Sequence, residues 1–163
     1  MEIPKLKNEI NKPGMAFLPH RAPFLFVDKM LSADETGAVG EFTYRPGEFQ
    51  YLVEASDDKS PMVPGTVLIE SMSQVAGAGL VARGVIGGGD NEAVFTFAAI
   101  DSARFRRPVR LGDTLVTVAK ALRLRKPLGV FEVKGYVGGE LAAEAVVKCM
   151  LSDRPKASKG GLS

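Results

Sequence analysis

The sequence predicts an α+β domain in which one long, nearly apolar helix is wrapped by a curved antiparallel sheet. Three observations lead there. From Pro61 to Ala82 the only charged residue is Glu70, and Leu68, Met72, Val75, Ala76, Gly79 and Leu80 recur at helical spacing. Beyond Gly87-Gly-Gly-Asp90 the period of the apolar residues changes from helical to two, which marks strands. A flat sheet buries one face of a helix but not its whole circumference, so the sheet has to curl around it. Some of the remaining apolar surface then calls for a partner subunit.

Taken in order, residues 1–20 hold a short amphipathic stretch that Lys12-Pro-Gly stops. Phe24–Leu31 is apolar and strand-like, and Ser32-Ala-Asp-Glu-Thr-Gly37 is turn-prone. A second strand is expected from Ala38 to Tyr44, and Arg45-Pro-Gly opens an irregular segment that runs to Val63. Pro64-Gly65-Thr66 reads as a helix start, because proline fixes φ and glycine or threonine suits the cap. The helix ends near Arg83-Gly84. Strands are expected at Ala93–Ile100, Arg104–Pro108, Asp113–Leu124, Val130–Val137 and Leu141–Leu151. Residues 1–152 make one domain, and 153–163, small and polar, make a flexible tail.

Composition narrows the function. At 163 residues, 45% apolar and 25% charged, the chain is an ordinary globular domain. A net charge of +2 gives no argument for nucleic acid. One cysteine, Cys149, cannot form an intramolecular disulfide, and with His20 the only histidine there is no set for a zinc site. No cofactor or metal is expected. The stretch from Pro61 to Ala82 is long enough to cross a bilayer. Glu70 in its middle, with Ser71, Ser73, Gln74, Gly77 and Gly79, favours a helix buried in protein instead. The amino-terminal residues do not read as a signal peptide, so a cytoplasmic protein with no membrane partner is expected.

Four ordered segments carry a resemblance. They are Leu18-Pro-His-Arg-Ala-Pro-Phe-Leu-Phe-Val-Asp28, Pro61-Met-Val-Pro-Gly-Thr-Val-Leu-Ile-Glu-Ser-Met-Ser-Gln-Val-Ala-Gly77, Phe97–Pro108 with Gly112-Asp113 behind it, and Gly138–Ala145. Together they resemble the FabZ group of 3-hydroxyacyl-carrier-protein dehydratases over roughly residues 15–152. The resemblance implies a hotdog fold, a dimer as minimum unit, and a substrate carried as acyl-phosphopantetheine on an acyl carrier protein.

Dehydrating a 3-hydroxyacyl thioester takes a base for the C2 proton, an acid for the departing hydroxyl, and donors for charge on the thioester oxygen. The resemblance implies that a loop histidine and a helix carboxylate, from different subunits, share the first two tasks. Glu70 matches the carboxylate. Its isolation on an apolar helix independently predicts a raised pKa, suited to a general acid; the alternative is a carboxylate satisfied by hydrogen bonds or exposed at an interface. Gly65 matches the glycine whose N–H, at the positive end of the helix, faces the thioester oxygen. The alternative there is a plain cap. Gln74 also matches, as a substrate-side or structural residue.

The departure from the family lies at the histidine. The Gly-His-Phe-Pro-Gly loop is replaced by Glu48-Phe-Gln-Tyr-Leu-Val-Glu-Ala-Ser-Asp-Asp-Lys-Ser60. Counting back from Pro61 puts Ser56 at the histidine position; counting forward from Glu48 puts Glu54 there. Asp57 and Asp58 are close by, but an ordinary carboxylate is a weaker base than imidazole. His20 belongs to Leu-Pro-His-Arg, which is not the family's base, and reads as a structural hydrogen-bonding residue.

Phe95 and Phe97, with Phe105 and Phe131, are candidates to line an acyl tunnel; core packing is the alternative. Arg104, Arg106, Arg107 and Lys126, among other basic residues of the same region, would steer an acidic carrier protein, or form a solvated strand face. Four functions remain open on sequence. They are a dehydratase with reduced or absent autonomous activity, a histidine-less subunit lending Glu70 to a histidine-bearing homologue in a heterodimer, a carboxylate-dependent thioesterase, and a binder without turnover.

Overall fold

A computed structural model describes residues 2–49, 61–87 and 91–155. Seven strands form one antiparallel sheet: β1 (Asn8–Pro13), β2 (Lys29–Asp34), β3 (Gly37–Thr43), β4 (Asn91–Phe105), β5 (Thr114–Arg125), β6 (Leu128–Val137) and β7 (Glu140–Pro155). Their order across the sheet is β1-β2-β3-β5-β6-β7-β4, so β1 and β4 are the edges. The helix α1 (Gly65–Ala82) lies on the concave side and packs against every strand from β2 to β7.

The sheet wraps the helix as the apolar sequence requires. Residues 71–80 of α1 are buried without interruption, including Ser71, Ser73 and Gln74. Close approach is permitted by glycine: a Cβ on Gly79 would stand 2.4 Å from Ala38 Cβ on β3. Beneath α1, Phe26, Phe42, Tyr44 and Phe49 form an edge-to-face cluster, with Phe42 and Tyr44 centroids 5.0 Å apart. Among the described residues no helix is long and apolar enough to cross a membrane.

The helix and the strands after it fall where the pattern places them, with four corrections. The amino-terminal stretch contains an edge strand, β1, paired to β2 from Asn8↔Ala33 to Pro13↔Lys29. The strand expected at Phe24–Leu31 begins only at Lys29 and continues to Asp34, leaving Phe24–Asp28 as an extended segment on α1. The expected strands Ala93–Ile100 and Arg104–Pro108 are one strand, β4. Register shifts at Phe97/Ala99 and Ile100/Ser102 break its two-residue alternation, which is why one strand reads as two. β7 runs past the expected boundary at 152 to Pro155, where Asp153 pairs with Lys126 and Arg154 with Glu92. The remainder of the expected tail, 156–163, lies outside the described residues.

Candidate active site

The site is built where the segment Leu18–Asp28 docks on α1. Gln74 Oε1 accepts the Phe26 N–H at 2.8 Å, and Gln74 Nε2 donates to the Phe24 carbonyl at 3.0 Å. Ser71 Oγ donates to the Phe26 carbonyl at 2.8 Å. An extended segment outside the sheet thereby has its polar backbone satisfied by helix side chains. Asp28 pins the far end by accepting from Thr43 N–H and pairing bidentately with Arg45 at 2.9 and 3.1 Å. At the near end Arg21 donates to the carbonyls of Leu18 and His20.

This docking carries His20 to Glu70. His20 Nε2 stands 3.9 Å from Glu70 Oε1, and both side chains are mostly enclosed, 28% and 19% exposed. Gln74 Nε2 also donates to Glu70 Oε1, at 2.9 Å, one turn along the helix. Both protons of the Gln74 amide are therefore spent on protein. Of the two roles expected for Gln74, these bonds fit the structural one: it positions Glu70 and the docked segment. His20 differs from the hydrogen-bonded structural residue expected: among the described residues its Nδ1 is buried with no partner, and its Nε2 faces the carboxylate.

Gly65 opens the helix beneath a cavity of about 650 Å³, lined by Pro61–Gly65, Leu68 and Phe105–Val109. The first bonds within the helix run from Val67 and Leu68 N–H to the Pro64 carbonyl. The N–H groups of Gly65 and Thr66 thus precede the helical ladder at its positive end. A Cβ on Gly65 would lie 2.6 Å from the Phe105 ring, so glycine is what lets that ring stand over the helix start.

Phe95 lines a crevice of about 20 Å³ with Leu18, Pro19, His20, Gly77 and Ile86, deeper along the helix. Phe97 is 37% exposed on β4. Cys149 is buried, and burial, with the charge of Glu70 adding to it, pushes its thiol up to about 12. Ser56 and Glu54, with Asp57 and Asp58, lie outside the described residues.

The basic residues do not form one patch. Arg106 pairs with Glu144 and Arg107 with Glu140, and Arg106 holds Glu144 below the usual carboxylate range. Arg104 stands opposite Glu144 in register. Lys126 sits in the β5–β6 turn, bound to Asp153, beside Leu128, which pairs with Met150. Met150 is six positions along β7 from Glu144, roughly 20 Å at the strand rise. Lys126 is therefore at the other end of the sheet from the three arginines.

Comparison with known proteins agrees with the fold. The family model for a FabA-like domain matches residues 18–146. A 3-hydroxyacyl-[acyl-carrier-protein] dehydratase FabZ from Shewanella loihica is 33% identical over 88% of this chain and 95% of its own length. The dehydratase of the same name from Desulforamulus reducens is 38% identical over 78% of this chain and 87% of its own. Among solved structures, the dehydratase heterocomplex ApeI:P from Xenorhabdus doucetiae superposes with a TM-score of 0.72 at 16% identity, covering 86% of this chain and 91% of that one, a likeness of fold. The matched span takes in the docked Leu18–Asp28 segment, the buried helix with Glu70 and the strands around it, and on these grounds the chain belongs to the FabZ-like group of the FabA-like family of hotdog proteins.

Proposed function

We propose that this protein acts on 3-hydroxyacyl thioesters carried by an acyl carrier protein, in fatty-acid or polyketide assembly, as a dehydratase-type site with reduced autonomous activity. One observation carries the reading. A carboxylate, Glu70, is held by Gln74 on a buried helix whose open N-terminus at Gly65 faces a cavity of about 650 Å³. In the reaction, loss of the C2 proton to a base drives charge onto the thioester oxygen, where the Gly65 N–H stabilises it. The Glu70 carboxyl gives its proton to the 3-hydroxyl, the C3–O bond breaks, the C2–C3 double bond forms, and water leaves.

The base is what this sequence withholds, since Ser56 or Glu54 takes the place of the family's loop histidine. That substitution is the ground for reduced activity. It also favours a second reading, in which a homologous subunit supplies the histidine. The β4 edge, exposed from Thr96 to Arg106, is where a second chain would add its own strand. Arg106 and Arg107 line the cavity, Arg104 lies beside them on β4 facing Glu144, and these three are the proposed carrier contacts; Lys126 is too remote to join them.

The purified protein with a 3-hydroxyacyl carrier-protein substrate tests this. Slow enoyl formation that Glu70→Gln abolishes supports the proposal. Enoyl product only after a histidine-bearing homologue is added selects the heterodimer. Release of free carrier thiol selects a thioesterase and overturns the dehydratase reading, as does binding with no turnover under either condition.

A further inference from the structure

We infer that His20 holds the 3-hydroxyl group of the substrate, donating from Nε2 to the oxygen that Glu70 also addresses. This rests on the reading of the site as one for 3-hydroxyacyl thioesters.

The first argument is the tautomer. A neutral imidazole carries one proton, on Nδ1 or Nε2. Nδ1 of His20 is buried and, among the described residues, without a partner. A buried N–H with no acceptor is tolerated less often than a buried acceptor with no donor. The proton therefore belongs on Nε2, the nitrogen that faces Glu70. His20 is a donor there, which makes it unsuited to remove the C2 proton.

The second argument is spacing. At 3.9 Å, Nε2 and Glu70 Oε1 are too far apart to hydrogen-bond each other. One oxygen placed about 2.8 Å from each sits about 2 Å to the side of the line joining them and can bond to both. Gln74 locks the carboxylate side of this gap, and the docked Leu18–Asp28 segment locks the imidazole side. A hydroxyl in the gap accepts from His20 and exchanges its remaining hydrogen bond with Glu70.

The third argument is the apolar surface next to the pair. Beyond the pair lies the small apolar crevice of Leu18, Gly77, Ile86 and Phe95, on the side where the acyl tail continues.

Calorimetric binding of two probes to the full chain tests this without requiring turnover: 3-hydroxyoctanoyl-pantetheine amide and octanoyl-pantetheine amide. The wild type is expected to prefer the hydroxylated probe by about fivefold, the worth of one net hydrogen bond. His20→Leu is expected to erase the preference, whatever its effect on octanoyl binding itself, with the circular dichroism and urea midpoint of the variant showing that it is folded. His20→Gln, whose amide N–H reaches a similar point, is expected to retain it. Equal binding of the two probes by the wild type, or an intact preference in His20→Leu, overturns the inference. A preference that depends on His20 in a protein forming no enoyl product leaves the inference standing and the dehydratase reading fallen. Enoyl formation with no such preference does the reverse.

Discussion

Gln74 and Glu70 are joined across one turn of α1 by a 2.9 Å hydrogen bond, and the same Gln74 amide holds the backbone of Phe24 and Phe26. One side chain thus sets two things at once, the direction of the carboxylate and the position of the segment that bears His20. Stability and site geometry are linked through it.

Gln74→Leu is expected to damage both. The apolar replacement leaves the Phe26 N–H and Phe24 carbonyl unpaired, at about 2–4 kcal/mol in total. Urea unfolding should show a lower midpoint with little change in slope. The preference for hydroxylated probes should fall as well, since His20 loses its seat. A variant as stable as the wild type shows that the clamp is dispensable.

Gly65 and Phe105 make a second coupled pair. Gly65→Val puts methyl groups where the Phe105 ring stands, so either the ring is displaced into the cavity or the helix start shifts. KM for the carrier-bound substrate is expected to rise about tenfold or more, the cost of roughly 1.4 kcal/mol in lost binding. Phe105→Ala in the same chain is expected to recover much of that loss. Additive effects of the two substitutions mean that the ring and the glycine do not act together.

Cys149 gives a prediction in pH. Burial, with the Glu70 charge as a smaller contribution, raises its thiol from 9.0 to about 12. Between those values the unfolded chain releases a proton that the folded chain keeps, so stability falls as pH rises through that window and is unaffected below it. Cys149→Ala should flatten the decline in urea midpoint between pH 8.5 and 11. At pH 8 the native thiol is expected to resist a thiol-reactive disulfide that labels it rapidly in denaturant. Rapid labelling of the native protein contradicts this burial.

Particular residues show what the sequence alone could reveal. The helix was legible because Glu70 is the single charge in a long apolar run, and a run buried on all sides needs no amphipathic stripe. Strands β5 to β7 were legible from alternation. β1 was not, because an exposed edge strand with Ile10 as its one apolar residue has no alternation to read. The merging of β4 was hidden by its two bulges. The contact of His20 with Glu70 spans fifty positions and has no periodic signature. The hint that existed was Gln74, a polar residue one turn from Glu70 on an otherwise apolar face, which had to be bonded to something if buried.

The exposed edge of β4 yields the last prediction. Residues 96–106 are all exposed, among them Phe97, Ile100 and Phe105, on an edge strand with no neighbour among the described residues on its outer side. Unpaired backbone groups and large apolar side chains along one edge favour strand addition by a second chain. A homodimer or a mixed dimer is expected to use this edge. Ile100→Lys places a charge in the middle of it and is expected to shift sedimentation from dimer to monomer, with the circular dichroism of the folded chain retained. Enoyl formation should fall with dimer content if the missing base comes from the second subunit, and should follow the monomer if it does not. A wild type that sediments as a monomer at tens of micromolar removes the case for self-pairing and leaves the edge for a homologous partner.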